Sequence, residues 1–233
     1  MKISGLQKMT LLDYPGKIAC TVFLGGCNFR CPYCHNSEIL DGNSEMLMSE
    51  QEFLAFLSGR KGLLDAVCIS GGEPTLQPDL PELLAQIKAM GFLTKLDTNG
   101  SRPEVLQALV SRNLLDYVAM DIKNSPTRYS EAIGASWKQE KIEESIRFLT
   151  QDHVDYELRT TVAAQLHDFQ SMEEMGRWVS TLAENKKIKR WFVQPFADRE
   201  TVMYSGLCAP DDNQLAEFVG ILGRFSLHSC RRG

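Results

Sequence analysis

Six short apolar runs recur along the chain, each followed by a stretch with helical signals. Strands are predicted over residues 18–24, 66–70, 93–96, 117–120, 156–162 and 190–193, the β-branched apolar run 18–24 being expected to be buried on both faces. Helices are predicted over residues 49–60, 79–90, 103–112, 137–151, 169–183 and 210–225. Ser49 and Glu52 form a capping-box pattern at the first of these. Pro81 lies in the first turn of the second, and Gly91 stops it. In the fourth, Ile142, Ile146 and Leu149 are spaced four and three, which lays them on one face. Residues 1–16 read as a lead-in, with Asp13-Tyr14-Pro15-Gly16 as a turn.

Strict strand–helix alternation implies a parallel sheet with right-handed crossovers. Six such units suit either an open doubly wound sheet or a partial barrel. Glycine and polar residues gather after nearly every strand, as a barrel site requires, whereas an open sheet would concentrate them at one switch point. The expected class is therefore α/β, a partial (β/α)6 barrel of the TIM type. One domain is expected over residues 1–233, with core elements from about 17 to 225, because no Pro/Ser-rich linker interrupts it.

Composition narrows the partners. With 43% hydrophobic and 24% charged residues, the 233-residue chain is ordinary globular material. A net charge of −5 argues against electrostatic nucleic-acid binding. The basic run Lys186-Lys187-Ile188-Lys189-Arg190 reads as a solvated loop entering a strand. No apolar run approaches membrane-spanning length and no secretory leader is visible, so a cytoplasmic protein without membrane association is expected. The seven cysteines are odd in number and mostly scattered, which suits a reducing compartment.

Three of those cysteines cluster at Cys27, Cys31 and Cys34, in a loop just after the first strand. Three thiolates can hold three corners of a cubane iron–sulfur cluster and leave one iron open for chemistry. A structural zinc site closes its shell with four ligands, and no second cysteine pair is available. A ferredoxin-type carrier wants four cysteines per cluster. The open cluster is the stronger reading.

The Cys-x3-Cys-x2-Cys spacing, with Tyr33 before the last cysteine, resembles the radical S-adenosylmethionine (SAM) superfamily. That resemblance implies a [4Fe–4S] cluster on Cys27, Cys31 and Cys34, with SAM chelating the fourth iron. Gly71-Gly72-Glu73-Pro74 resembles the family's GGE motif. Two glycines let backbone approach a ligand, and Glu73 offers an acceptor for the SAM ammonium. Tyr33 would lie near the adenine. Residues 6–16, Asp97-Thr98-Asn99-Gly100 and Asp121-Ile122-Lys123 together resemble activases of glycyl-radical enzymes, closest to those of anaerobic ribonucleoside-triphosphate reductase and pyruvate formate-lyase. This implies that Asp97, Thr98 and Asp121 lie near the SAM carboxylate and a monovalent cation, with Lys123 contacting the carboxylate or ribose. Asp97 reads equally well as a turn-forming residue before Asn-Gly. The strand ending at Gln194-Pro195 lacks the histidine that formate-lyase activases carry nearby. His167 and Arg159 are weaker candidates: a lone histidine there is more often a loop hydrogen-bonder than a catalyst, and Arg159 either reaches the site or sits in an internal ion pair.

The implied activity is reductive cleavage of SAM to a 5′-deoxyadenosyl radical that installs a glycyl radical on a partner enzyme, under anaerobic conditions. A flavodoxin or ferredoxin-type protein would supply the electron. No side chain is expected to act as an acid or base. The competing readings are a radical SAM enzyme for a small molecule, similar to carboxydeazaguanine synthase, and a non-enzymatic iron–sulfur or zinc protein.

Overall fold

The computed structural model describes residues 3–41 and 46–232. Its strands are β1 (Ile3–Thr10), β2 (Ala19–Leu24), β3 (Ala66–Gly71), β4 (Leu93–Thr98), β5 (Tyr117–Asp121), β6 (Asp155–Val162), β7 (Ile188–Pro195) and β8 (Ser226–Arg231). The helices are α1 (Glu50–Ser58), α2 (Leu80–Ala89), α3 (Pro103–Ser111), α4 (Tyr129–Ile133), α5 (Gln139–Leu149), α6 (Phe169–Leu182) and α7 (Asp212–Gly223). All eight strands follow one another in one sheet, in sequence order and unclosed. The six expected strand–helix units are β2 to α7, and the α/β partial-barrel class holds.

The chain gathers into two compact units. One comprises the chain to Asn28, Glu38–Thr98 and Glu104–Val118; the other comprises Phe29–Ser37, Asn99–Pro103 and the chain from Ala119 on. In the first unit β2, β3 and β4 pair in parallel, with Thr21 opposite Cys68 and Cys68 opposite Lys95. Side chains alternate along a strand, so Cys68 and Ser70 share a face with Lys95 and Asp97. Tyr14, Ala19, Ala66, Cys68 and Tyr117 pack into one apolar cluster. The Asp13–Gly16 turn is present: Lys17 N–H donates to Tyr14 O, and Gly16 takes φ +68°. In the second unit β6, β7 and β8 are parallel. Ile142, Ile146 and Leu149 of α5 are buried as their spacing predicts, each contributing about 1.5–3 kcal/mol.

Two edge strands correct the sequence expectation. Residues 1–16 are not only a lead-in: β1 pairs antiparallel with β2. Its Gly5 packs on Phe23, where a Cβ would come within 3.2 Å of the ring. At the other edge β8 adds parallel to β7, and the residue after it, Arg232, closes a bidentate pair with the wholly buried Glu157 at 2.5 and 3.0 Å. Neither strand has a contiguous apolar run, because an edge strand is covered on fewer sides. The predicted helix over 137–151 is also shorter, as α5, and α4 precedes it. The basic run behaves as expected: Lys189 reaches Asp152 at 3.2 Å and Arg190 reaches Asp155 at 3.4 Å. Among the described residues no helix is long and apolar enough to cross a membrane.

Candidate functional site

In the first unit, Cys27 follows β2 on a loop tied down by its backbone. Gly26 N–H donates to Ile39 O at 2.7 Å and Cys27 N–H to Leu40 O at 2.9 Å. The end of β3 presses onto the same stretch: Gly72 N–H donates to Leu24 O and Glu73 N–H to Gly26 O. A Cβ on Gly71, at φ +118°, would run into the Leu24 backbone, and one on Gly72 would run into the Gly26 carbonyl. The expected need for two glycines is real, but the backbone they admit is that of the neighbouring strand.

Glu73 is wholly buried. Its Oε1 accepts from Thr75 N–H at 3.1 Å, Thr75 Oγ1 at 2.5 Å and Thr98 Oγ1 at 2.8 Å. Glu73 and Thr98, both candidates from sequence, are thus brought together. Asp97 takes Lys95 Nζ at 2.5 Å and Ser70 Oγ at 3.1 Å. It lies within β4, and the turn-forming role belongs to Asn99, whose Oδ1 accepts from Ser101 N–H at 3.0 Å. Thr75, Ser70 and Lys95 escaped the sequence reading. A lysine in the apolar run Leu93–Leu96, two residues before an aspartate, was the available signal for the last of these.

In the second unit, Cys31 and Cys34 stand on one turn, with Cys34 N–H donating to Cys31 O at 3.0 Å. Burial pushes the Cys31 thiol up to about 11, with Lys123 pulling the other way and Cys34 and Asp121 adding to the rise. Burial raises Cys34 as well. Lys123 pairs with Asp121 at 3.0 Å, and Arg159 Nε reaches the other oxygen of the same carboxylate at 3.0 Å. Burial works against the Lys123 charge, but Asp121, the Cys31 thiol and the Tyr33 phenol hold its pKa well above the usual value. Arg159 therefore sits in an internal ion pair, one of the two alternatives the sequence left open for it. Asp97 and Asp121 each have a protein cation within 3.0 Å, Lys95 for the first and Lys123 with Arg159 for the second.

His167 is a buried hydrogen-bonder. Its Nδ1 accepts from Ala163 N–H at 3.2 Å, which leaves Nε2–H to donate to Lys123 O at 2.9 Å. Burial holds its pKa below the usual value, and its ring meets Tyr33 edge-on at 6.3 Å. The Tyr33 hydroxyl is buried and has no hydrogen-bond partner among the described residues. No group of three His, Cys, Asp or Glu side chains among those residues is gathered to hold a metal ion. Cys208 is exposed and hydrogen-bonded to Gln165; Cys20 and Cys68 are buried in β2 and β3.

Comparison with known proteins adds the lineage. Residues 21–181 match the Radical SAM superfamily. The chain is 32% identical over 232 residues to a Methanocaldococcus jannaschii protein provisionally named a glycyl-radical enzyme activating enzyme, covering 96% of this chain and 92% of that one. It is 34% identical over 128 residues to the pyruvate formate-lyase-activating enzyme of Clostridium pasteurianum, covering 53% of this chain and 52% of that one. A solved domain of the pyruvate-formate lyase-activating enzyme from Bacteroides vulgatus shares its fold, with a TM-score of 0.59 at 19% identity, over 72% of this chain and 99% of that one. The chain therefore belongs to the radical SAM superfamily, enzymes that use a [4Fe–4S] cluster and SAM, and is homologous to the glycyl-radical enzyme activating enzymes.

Proposed function

We propose that this chain installs a glycyl radical on a partner enzyme, anaerobic ribonucleotide reductase being the partner its sequence motifs favour. In this reading Cys27, Cys31 and Cys34 hold three irons of the cluster, and the amino and carboxylate groups of SAM take the fourth. When bound, the cofactors would supply the hard chemistry: one electron from a flavodoxin or ferredoxin-type donor would cleave SAM to methionine and a 5′-deoxyadenosyl radical able to remove a hydrogen atom from the partner's glycine α-carbon. The protein's own residues bind and orient. Lys123 presents a fixed positive charge for a carboxylate, and Asp121 with Arg159 holds it in place. Glu73 and Thr98 anchor the end of β3 to the end of β4. Tyr33, Gly71, Gly72 and Asp97 complete the set that contacts SAM.

The observation that carries the reading is a three-thiol loop in a chain homologous over 96% of its length to a provisionally named activating enzyme. By their chemistry the donors suit the cofactors. Three thiols would leave one iron open, the buried Tyr33 phenol has no hydrogen-bond partner among the described residues, and the raised pKa values of Cys31 and Cys34 mean that metal uptake would expel protons. The test is anaerobic reconstitution with iron and sulfide, reduction, and incubation with SAM and a candidate glycyl-radical enzyme. A glycyl doublet in the spin-resonance spectrum of the partner is expected. SAM cleavage without a doublet on any glycyl-radical enzyme of the same genome would favour the small-molecule reading instead.

A further inference from the structure

Arg30 immediately precedes Cys31, and its backbone is gripped on both sides by the end of α4. Its N–H donates to Ile133 O at 2.8 Å. Its carbonyl oxygen abuts Gly134, the left-handed residue that ends α4 at φ +60°. A Cβ on Gly134 would run into that oxygen and come within 3.0 Å of the carbonyl carbon. The Arg30 guanidinium folds back to Phe29 O at 2.9 Å. The chain just before Cys31 is thus seated on the helix end and has little room to adjust.

At five residues α4 cannot hold its shape alone. Aromatic packing holds it. Tyr129, at its first position, is wholly buried and stacks on Trp137 at 4.0 Å. Trp178 of α6 meets both rings edge-on at 6.1 Å. The Trp178 indole N–H donates to Glu143 of α5 at 3.0 Å, which fixes the ring. Edge and stacked aromatic pairs of this kind contribute about 0.5–1.5 kcal/mol each beyond burial. An unbroken line of contacts thus runs from α5 and α6 through three rings and α4 to the residue beside Cys31.

We propose that Gly134 and Tyr129 are positioning residues for the cysteine loop: the end of α4 sets the Arg30 backbone, and so the direction in which the adjoining Cys31 thiol is presented. This rests on the reading of Cys31 as a cluster ligand. It goes beyond that reading by assigning the geometry of the ligand to a short helix and its aromatic support.

The test separates backbone strain from contact. Gly134→Ala adds a Cβ at a left-handed position. Gly134→Asn adds the same Cβ on a residue that tolerates that conformation. Trp178→Phe, at a half-buried ring, loosens the support and leaves the loop sequence untouched. Far-UV dichroism and melting confirm folding, and then three readouts follow. In reconstituted protein, iron loss to a chelator should speed up about ten- to hundredfold in both Gly134 variants, by analogy with other residues that orient metal ligands. The reduced cluster's spin-resonance spectrum should change with it, and Trp178→Phe should shift both in the same direction by less. In metal-free protein, alkylation of Cys31 should quicken severalfold in the same order. If Gly134→Asn and Trp178→Phe match the wild type in iron release, spectrum and alkylation, the inference is overturned. A wild-type protein that assembles no four-iron cluster fails the reading of Cys31 as a ligand, and the alkylation rates alone then decide whether α4 sets the loop.

Discussion

Replacing Thr98 with valine tests the anchoring of Glu73. Thr98 is 3% exposed and donates at 2.8 Å to an oxygen that already takes two bonds from Thr75. A hydrogen bond to an ionised partner contributes about 1.5–3 kcal/mol net. Valine has nearly the same shape, so no cavity forms, and its extra methyl returns under ~1 kcal/mol of apolar burial. The two Thr75 donors keep the carboxylate partly satisfied. The expected loss is therefore about 1–2 kcal/mol, which in a chain of this size lowers the melting temperature by roughly 2–8 °C. Urea unfolding of the metal-free protein measures it, with Thr98→Ser as the control that retains the hydroxyl. Crossing Thr98→Val with Glu73→Gln should show a coupling of about 0.5–3 kcal/mol. Strict additivity, or a valine variant within about 0.5 kcal/mol of wild type, would refute the claim that this hydroxyl holds Glu73.

Three further outcomes follow from the packing. Arg232→Ala takes the bidentate guanidinium away from the wholly buried Glu157 carboxylate; because Arg232 is itself 30% exposed, the loss should be about 2–3 kcal/mol, below the ~3–5 of a fully buried pair, readable by denaturant unfolding. His167 is held neutral by burial, so its folded pKa lies below the unfolded value of about 6.5. As pH falls through that value the unfolded chain takes up a proton that the folded chain resists, and stability drops. Melting curves between pH 7.5 and about 5.5 should show this slope, and His167→Gln should flatten it. In native protein near pH 8 an alkylating reagent should label the exposed Cys208 well before Cys20, whose buried thiol is pushed up to about 12, with order read by peptide mass spectrometry.

The six strand–helix units were legible because buried parallel strands must be continuously apolar and helices must show a face. The edges were not. β1 carries Gly5 and Lys8, and β8 carries Ser226, His228 and Arg231, since each strand meets a neighbour on one side only. The cysteine loop stands out in the sequence because three of the seven cysteines fall within eight residues. Glu73 and Asp97 were candidates from the sequence, but their hydrogen-bond partners, Thr98 apart, were not. Thr75, Ser70 and Lys95 act through register, and register emerges only when strands pair. Gly134 was invisible for a related reason: its neighbour, Arg30, lies more than a hundred residues earlier.

The Glu157–Arg232 pair bears on the order in which the molecule is made. The two residues lie 75 positions apart, and Arg232 also seats its N–H on Val193 O and its guanidinium 3.5 Å from the Phe192 ring centroid. A chain emerging from the ribosome exposes Glu157 long before its counter-charge exists. Until then, β6 can settle against β7 only by burying a carboxylate that lacks its bidentate arginine or by leaving that end frayed. The late arrival of one arginine would thus keep the second unit open during synthesis, and give its final closure the slow, long-range character of high contact order.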